Sequence, residues 1–158
     1  MKICRFRKNT EIHVGLYRDD FVLPLLGVHE AYTHSTGKSL DLPKSDRLLD
    51  FLPPDASGYA AAQIIDRWTE ENEQAIPDSL RLATDTVELL IPISRPKKLF
   101  LLAGNYAKHI EEGGGIAAER AETFPYVFMK PPTTTLTDPG KPITIPSVSP
   151  NAIDWELE

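Results

Sequence analysis

Proline is the residue that most restricts how this chain can fold. The 158 residues include fourteen prolines, and these are densest between Pro125 and Pro150. Proline has no backbone N–H and a fixed φ, so it interrupts helices and is confined to turns, strand ends and sheet edges. The C-terminal part of the chain is therefore predicted to consist of short strands joined by stiff turns.

Charge and apolar content argue against two classes of partner. Seventeen basic and twenty-three acidic side chains give a formal net charge of −6, with a pI near 5.2, which does not suit a surface for nucleic acid. No apolar stretch approaches the ~20 residues that cross a bilayer, and the N-terminus lacks the apolar core of a secretory signal. We therefore expect a cytoplasmic protein that binds neither nucleic acid nor membranes.

The N-terminal part contains patterns of both strands and helices. Alternation predicts a strand in the first residues and further strands over 14–16 and 21–25, the last two joined by a tight acidic turn at 18–20. A short capped helix over 48–52 and a longer helix starting after Ser57 are predicted next. In the longer helix the face toward the core should contain Ala61, Ile64, Ile65 and Trp68, and the other faces Asp66, Arg67, Glu70 and Glu71.

The single cysteine, Cys4, lies in the first alternating segment. With no second cysteine it has no internal disulfide partner. We interpret it as a small buried residue, because a catalytic thiol needs an activating histidine or helix N-terminus, and neither is evident nearby.

A change of pattern near residue 96 predicts a second domain. An apolar strand over 99–103 is interrupted by Gly104, and helical spacing over 105–112 ends at a triple glycine. The chain is predicted to be α+β, mainly β, with an N-terminal α+β module over 1–95 and a second domain over 96–158. Further strands of the second domain are predicted at 126–129, 143–145 and 153–158.

Glu156 and Glu158 are the candidate metal ligands. They lie two residues apart in a predicted strand, where side chains alternate, so both carboxylates project from the same face. Two converging oxygen donors suit a hard cation such as Mg²⁺. The alternative is that the pair belongs to an ordinary solvated strand face.

Three further residues have candidate roles in catalysis. His109 and Glu112 are three apart in the predicted helix, so the carboxylate can orient the imidazole as a general base that activates water. Lys130 follows an apolar strand and precedes two prolines, a position from which it can meet a carboxylate or a developing oxyanion. The alternatives are a surface ion pair for the first two residues and an exposed lysine for the third.

Four sequence strings, taken together, resemble a known family. They span 104–112, 128–133, 139–143 and 153–158, and in this order they resemble the catalytic domain of the fumarylacetoacetate hydrolase family. The resemblance covers about 99–158, whereas the residues before it resemble only the variable N-terminal regions of longer members. It implies a mixed β-roll fold and a bound Mg²⁺, or Mn²⁺ or Ca²⁺ in its place.

The resemblance also implies roles for the candidate residues. Glu156 and Glu158 match the first two metal ligands of the family, whose third acidic ligand lies further along, past the end of this sequence. His109 and Glu112 match a water-activating pair on a mobile lid. Lys130 matches the lysine that reaches the substrate.

The implied function is metal-dependent hydrolysis of a carbon–carbon bond in a small 2-oxo (1,3-diketo) acid, by an enzyme that is a homodimer when complete. Related members instead decarboxylate, isomerise or hydrate 2-oxo acids. Because the sequence ends at Glu158, we expect a fragment that is inactive by itself. The remaining alternative is a truncated, non-catalytic paralogue.

Overall fold

The computed structural model describes residues 1–54, 57–117, 122, 124 and 126–151, and the chain divides into two units, Met1–Ser94 and Arg95–Glu158. The architecture is mixed α+β and mainly β, as predicted. Short 3₁₀ turns lie at Leu48–Phe51, Glu73–Ala75, Asp78–Leu80 and Thr84–Thr86. The strands are β1 (Ile3–Lys8), β2 (Glu11–Tyr17), β3 (Phe21–Pro24), β4 (Leu82–Ala83), β5 (Glu88–Leu90), β6 (Phe100–Ala103) and β7 (Tyr126–Met129); the helices are α1 (Leu25–Thr36), α2 (Gly58–Glu71) and α3 (Ala107–Glu112).

A curled antiparallel sheet with the order β4-β3-β2-β1-β5 organises the first unit. A two-residue turn joins β1 to β2, and Asn9 in that turn has φ 56, a left-handed conformation that asparagine tolerates. The predicted acidic turn at 18–20 joins β2 to β3, so these two strands are confirmed. The predicted end of the second strand is wrong by one residue, because Leu25 begins α1.

Helix α1 was not predicted from the sequence pattern. Its buried residues, Leu25, Val28 and Tyr32, follow helical spacing, but Gly27 and two threonines weaken the helical signal. The helix ends at Gly37, whose φ of 69 allows its N–H to donate to the carbonyl of Thr33 at 2.9 Å. Packing on the sheet therefore stabilises a segment with modest intrinsic helix propensity.

Helix α2 confirms the predicted longer helix but corrects the assignment of its faces. Ala61, Ile65 and Trp68 are buried as expected, whereas the predicted core residue Ile64 is 45% exposed. Asp66, predicted on an exposed face, is 6% exposed. Its carboxylate accepts a hydrogen bond from Arg18, in the turn after β2, at 2.9 Å. This ion pair replaces the water that the carboxylate loses on burial. Ser57 precedes the helix without a side-chain capping bond.

The sheet buries apolar residues on both faces. One face packs against α1 and α2 in a cluster that includes Leu16, Val28, Phe51 and Ile65. The other face curls over a smaller cluster formed by Phe6, Val22 and Leu82. Of the helices in the described part of the chain, none has the length and apolar character needed to cross a membrane.

Gly15 allows the close packing of the smaller cluster. A Cβ at this position would lie 2.7 Å from Cγ1 of Val22 and 2.8 Å from both the Leu23 carbonyl and the Phe6 ring. Because two of these neighbours have no exposed surface, they have little room to move. We expect Gly15→Ala to lower the free energy of unfolding by about 1–3 kcal/mol, measured by urea denaturation.

A matched control for this prediction is Gly37→Asn. A Cβ at Gly37 would meet nothing within 4 Å, and asparagine tolerates the left-handed backbone at a helix end. The control should change the unfolding free energy by less than about 0.5 kcal/mol. A wild-type urea midpoint for Gly15→Ala would show that the sheet does not pack as closely as described.

Cys4 is half-buried in β1, opposite Gly15. Burial raises the pKa of its thiol from 9.0 to about 11, while a hydrogen bond with the Gly15 backbone acts in the opposite direction. Because the folded pKa lies above the unfolded one, this contribution to stability is present below pH 9.0 and is lost as the pH rises toward about 11.

We therefore expect slow alkylation of Cys4 in the folded protein. At about pH 8 the thiolate fraction should be about 100-fold lower in the folded chain than in the unfolded chain, and the thiolate is the reactive species. Iodoacetamide labelling followed by mass spectrometry, with and without urea, measures this ratio. Equal rates in the two states would contradict the described burial of the thiol.

The second unit contains an antiparallel pair, β6 and β7, in which Phe100 lies opposite Met129 and Ala103 lies opposite Tyr126. The strand predicted at 126–129 is confirmed, and the one predicted at 99–103 is confirmed from residue 100. The strand predicted at 143–145 is wrong, because these residues have no regular structure. The strand predicted at 153–158 lies outside the described residues.

Candidate active site

The segment that contains His109 connects β6 to the residues before β7. Gly104 follows β6 with φ 60, and α3 spans Ala107–Glu112. After the helix, Gly114 has φ 78 and the N–H of Gly115 donates to the carbonyl of Ile110 at 2.8 Å. The sequence prediction of a short helix between glycines is therefore confirmed, with its first residue at 107.

His109 is half-buried and lies beside an aromatic ring. The centroids of the Tyr106 and His109 rings are 5.3 Å apart, with an interplanar angle of 33°. Tyr106 is the residue immediately before α3, with an extended backbone, and it lies three residues before His109. The sequence pattern assigned no role to Tyr106, because its contact with His109 depends on the extended backbone just before the helix.

Glu112 is exposed and forms an ion pair within α3. Its carboxylate lies 3.7 Å from Nζ of Lys108, one helical turn earlier. The predicted partner, His109, is three residues before Glu112 on neighbouring positions of the helix surface. The role of Glu112 in orienting the imidazole stays a prediction.

Lys130 is the first residue after β7. Its N–H donates to the carbonyl of Leu99 at 3.2 Å, and its ammonium lies 5.6 Å from the centre of the Phe128 ring. The side chain is exposed. Lys130 thus lies at the C-terminal end of β7, where its ammonium makes a cation–π contact with Phe128.

The pairing register places Lys130 and the start of the α3 segment at opposite ends of the β6–β7 pair. Leu99 faces Lys130, whereas Ala103, four residues later, leads into Gly104. At ~3.3 Å per strand residue, the two ends are about 13 Å apart. The sheet itself therefore does not bring this lysine to the beginning of the α3 segment.

Glu156 and Glu158, the candidate metal ligands, lie outside the described residues. Within the part of the chain that the structure describes, no group of three or more histidine, cysteine, aspartate or glutamate side chains is placed to hold a metal ion. The chemistry of the two glutamates still fits a hard divalent cation, which prefers carboxylate oxygen.

A comparison with protein families found a match within the second unit. Residues 98–158 match the family described as "Fumarylacetoacetate (FAA) hydrolase C-terminal". The comparison with curated proteins found no match. The matched range contains α3, the β6–β7 pair and all five candidate site residues, and it confirms the resemblance drawn from the sequence strings. Residues 98–158 of this chain are therefore similar to the C-terminal region of the fumarylacetoacetate hydrolase family.

Proposed function

We propose that this protein is a metal-dependent hydrolase that cleaves a carbon–carbon bond in a small 2-oxo (1,3-diketo) acid. The observation that carries the proposal is the family match over 98–158. This range contains His109, Lys130 and Glu156, each within one of the strings that resemble the family. The proposal includes a cytoplasmic location and a homodimeric enzyme. It extends the family assignment to a particular reaction.

Glu156 and Glu158 would hold the cation, Mg²⁺ or alternatively Mn²⁺ or Ca²⁺. Their carboxylates are the oxygen donors that these ions prefer. A cation bound there would supply Lewis-acid polarisation of a substrate oxygen.

His109 is the proposed general base, and Glu112 the residue that orients it. An imidazole exchanges a proton near neutral pH, so it can take one from the attacking water. Half-burial beside the Tyr106 ring limits the orientations open to the imidazole while leaving part of it accessible to water. A carboxylate on the same helical face can stabilise the imidazolium that forms.

Lys130 is the proposed contact for the substrate. Its exposed ammonium, at the end of β7, can pair with the carboxylate of a 2-oxo acid or with negative charge that develops during bond cleavage. Packing beside Phe128 restricts the side chain without neutralising it. The substrate would therefore lie close to this end of the β6–β7 pair.

Closure of the α3 segment would bring His109 toward that substrate. The segment is a six-residue helix, shorter than the ~12–15 residues that make an isolated helix stable, and glycines with positive φ lie on both sides of it. Lys130 and the start of the α3 segment lie about 13 Å apart along the strands, so His109 would have to move to reach a substrate bound at Lys130. Contacts with bound substrate would stabilise the closed position.

The proposal can be tested with the native gene product purified from its own cells. Acetylpyruvate, a simple 1,3-diketo acid, and oxaloacetate are each incubated with the protein and MgCl₂, and products are followed by proton NMR. Equal amounts of acetate and pyruvate from acetylpyruvate, with one water consumed, are expected. Turnover of oxaloacetate alone would replace the hydrolase proposal by a decarboxylase, and no turnover of either would overturn it.

A further inference from the structure

Backbone hydrogen bonds tie Tyr106 and His109 to the same short helix. The carbonyl of Tyr106 accepts a hydrogen bond from the N–H of Ile110 at 3.3 Å, and the carbonyl of His109 accepts one from the N–H of Gly113 at 3.2 Å. Tyr106 is therefore the first acceptor of α3, and His109 belongs to its last turn. These two bonds hold the backbones of both residues in a defined relation to each other.

The side chains of Tyr106 and His109 meet across this short distance along the chain. Tyr106 has an extended backbone, with φ −142 and ψ 148, and the centroid of its ring lies 5.3 Å from that of the imidazole. Aromatic rings attract one another at centroid separations of about 4.5–7 Å. The phenol ring therefore covers part of the half-buried imidazole and restricts the rotation of the histidine side chain.

The other proposed partner of the imidazole, Glu112, is shared with a cation. Its carboxylate lies 3.7 Å from Nζ of Lys108, and both of these side chains are exposed. Exposed ion pairs are weak and are screened by salt. A carboxylate that a neighbouring lysine also attracts fixes an imidazole less strictly than a ring packed against it does.

The glycines on which the α3 segment can move lie outside the stretch that contains the two rings. Gly104 has φ 60 and Gly114 has φ 78, whereas the hydrogen bonds described above span residues 106–113. A rotation of the backbone at these glycines leaves those hydrogen bonds unchanged. Tyr106 and His109 would consequently move as one unit.

We infer that Tyr106 is a positioning residue for His109. Its ring holds the imidazole in one orientation before substrate binds and moves with it when the α3 segment closes. A base that is already oriented needs less rearrangement to reach the reactive geometry. This inference rests on the proposed function, because it takes His109 as the general base.

The geometric part of the inference can be tested by NMR on the ligand-free 158-residue protein. Nuclear Overhauser contacts between the Tyr106 ring and the His109 imidazole are expected, together with one dominant χ1 rotamer of His109. Tyr106→Phe keeps the ring and should retain both features, whereas Tyr106→Leu should allow more than one rotamer. Absence of the ring contact in the wild type, or an unchanged single rotamer in the leucine variant, would overturn the inference.

Phe100→Leu is the matched control for the NMR test. Phe100 is an exposed aromatic residue of β6 in the same unit, and its replacement makes the same kind of change without removing the Tyr106 ring. The His109 rotamer should stay as in the wild type. An equal change in this control and in Tyr106→Leu would show that loss of any ring in the unit disturbs His109, and would overturn a specific role of Tyr106.

Kinetics of the active enzyme separates positioning from a purely structural role. Tyr106→Leu should lower kcat about 10-fold, because the base is less well oriented, and should leave KM within about two-fold of wild type. Tyr106→Phe should keep kcat close to wild type. In a His109→Ala background, Tyr106→Leu should cause no further loss, since the residue that it positions is already absent.

Two kinetic results would overturn the positioning role alone. These are an unchanged kcat in Tyr106→Leu and an equal 10-fold loss with and without His109. A wild-type protein that turns over neither acetylpyruvate nor oxaloacetate would instead overturn the proposed function, and the positioning role with it. The failure of the inference is thus distinguished from the failure of the proposed function by the activity of the wild type.

Discussion

Replacing His109 by alanine should lower the turnover of the active enzyme by about 10²–10⁴-fold while leaving its metal affinity nearly unchanged. The imidazole is the proposed base, and no other histidine lies in the matched range 98–158. Metal affinity should persist because the proposed ligands, Glu156 and Glu158, lie elsewhere in the sequence. Steady-state kinetics and calorimetric titration with Mn²⁺ measure the two quantities.

Glu111→Gln is the matched control for this variant. Glu111 is an exposed residue of the same helix, and its replacement removes a charge without touching a proposed site residue. Turnover should remain within about two-fold of wild type, since surface changes of this kind have small effects. Near-normal turnover of His109→Ala would show that this histidine is an ordinary residue of the helix surface and not the general base.

Replacing Glu156 by glutamine should weaken metal binding and activity together, each by about 10–100-fold or more. The amide keeps the shape of the side chain but loses the negative charge that a hard cation requires. This pattern differs from that of His109→Ala, in which only turnover falls. Calorimetric titration and the NMR product assay applied to the same preparation give both numbers.

Glu122→Gln serves as the control for Glu156→Gln. It makes the same chemical change at an exposed position of the second unit, and neither metal affinity nor turnover should change. If Glu156→Gln retained wild-type metal affinity, the assignment of this residue as a ligand would be wrong. If it lost affinity but kept its turnover, the metal would have no part in the reaction.

Local periodicity was sufficient to predict several elements. Strand β7 was predicted at 126–129 and is observed there, and the hairpin around 18–20 follows from alternation on both sides of an acidic turn. Helix α2 was predicted from apolar spacing and begins immediately after Ser57. These signals succeed because they depend on neighbours within one or two turns of the chain.

Periodicity failed where distant contacts decide the conformation. Helix α1 contains a glycine and β-branched residues, and packing against the sheet and α2 stabilises it. Asp66 is buried because Arg18, far away in sequence, donates to its carboxylate at 2.9 Å. No helical-wheel argument predicts such a partner, since the pairing depends on where the turn after β2 meets α2.

For the candidate site, the sequence supplied the chemistry and the tertiary structure supplied the arrangement. The motif strings were enough to predict the family and the residue types suited to binding a cation and activating water, because these depend on side-chain chemistry and order along the chain. They did not predict that Lys130 and Gly104 lie at opposite ends of the β6–β7 pair, nor that Tyr106 lies beside His109.

The division between the two kinds of information has a physical cause. Side-chain chemistry, turn preference and short-range periodicity are properties of neighbouring residues, so the sequence by itself determined the α+β class, the resemblance of residues 98–158 to a known family and the candidate residues. Burial of Asp66 and the contacts of Gly15 arise only when segments far apart in sequence pack together. Only the tertiary structure decided these features, because register and packing determine which backbone groups and side chains meet.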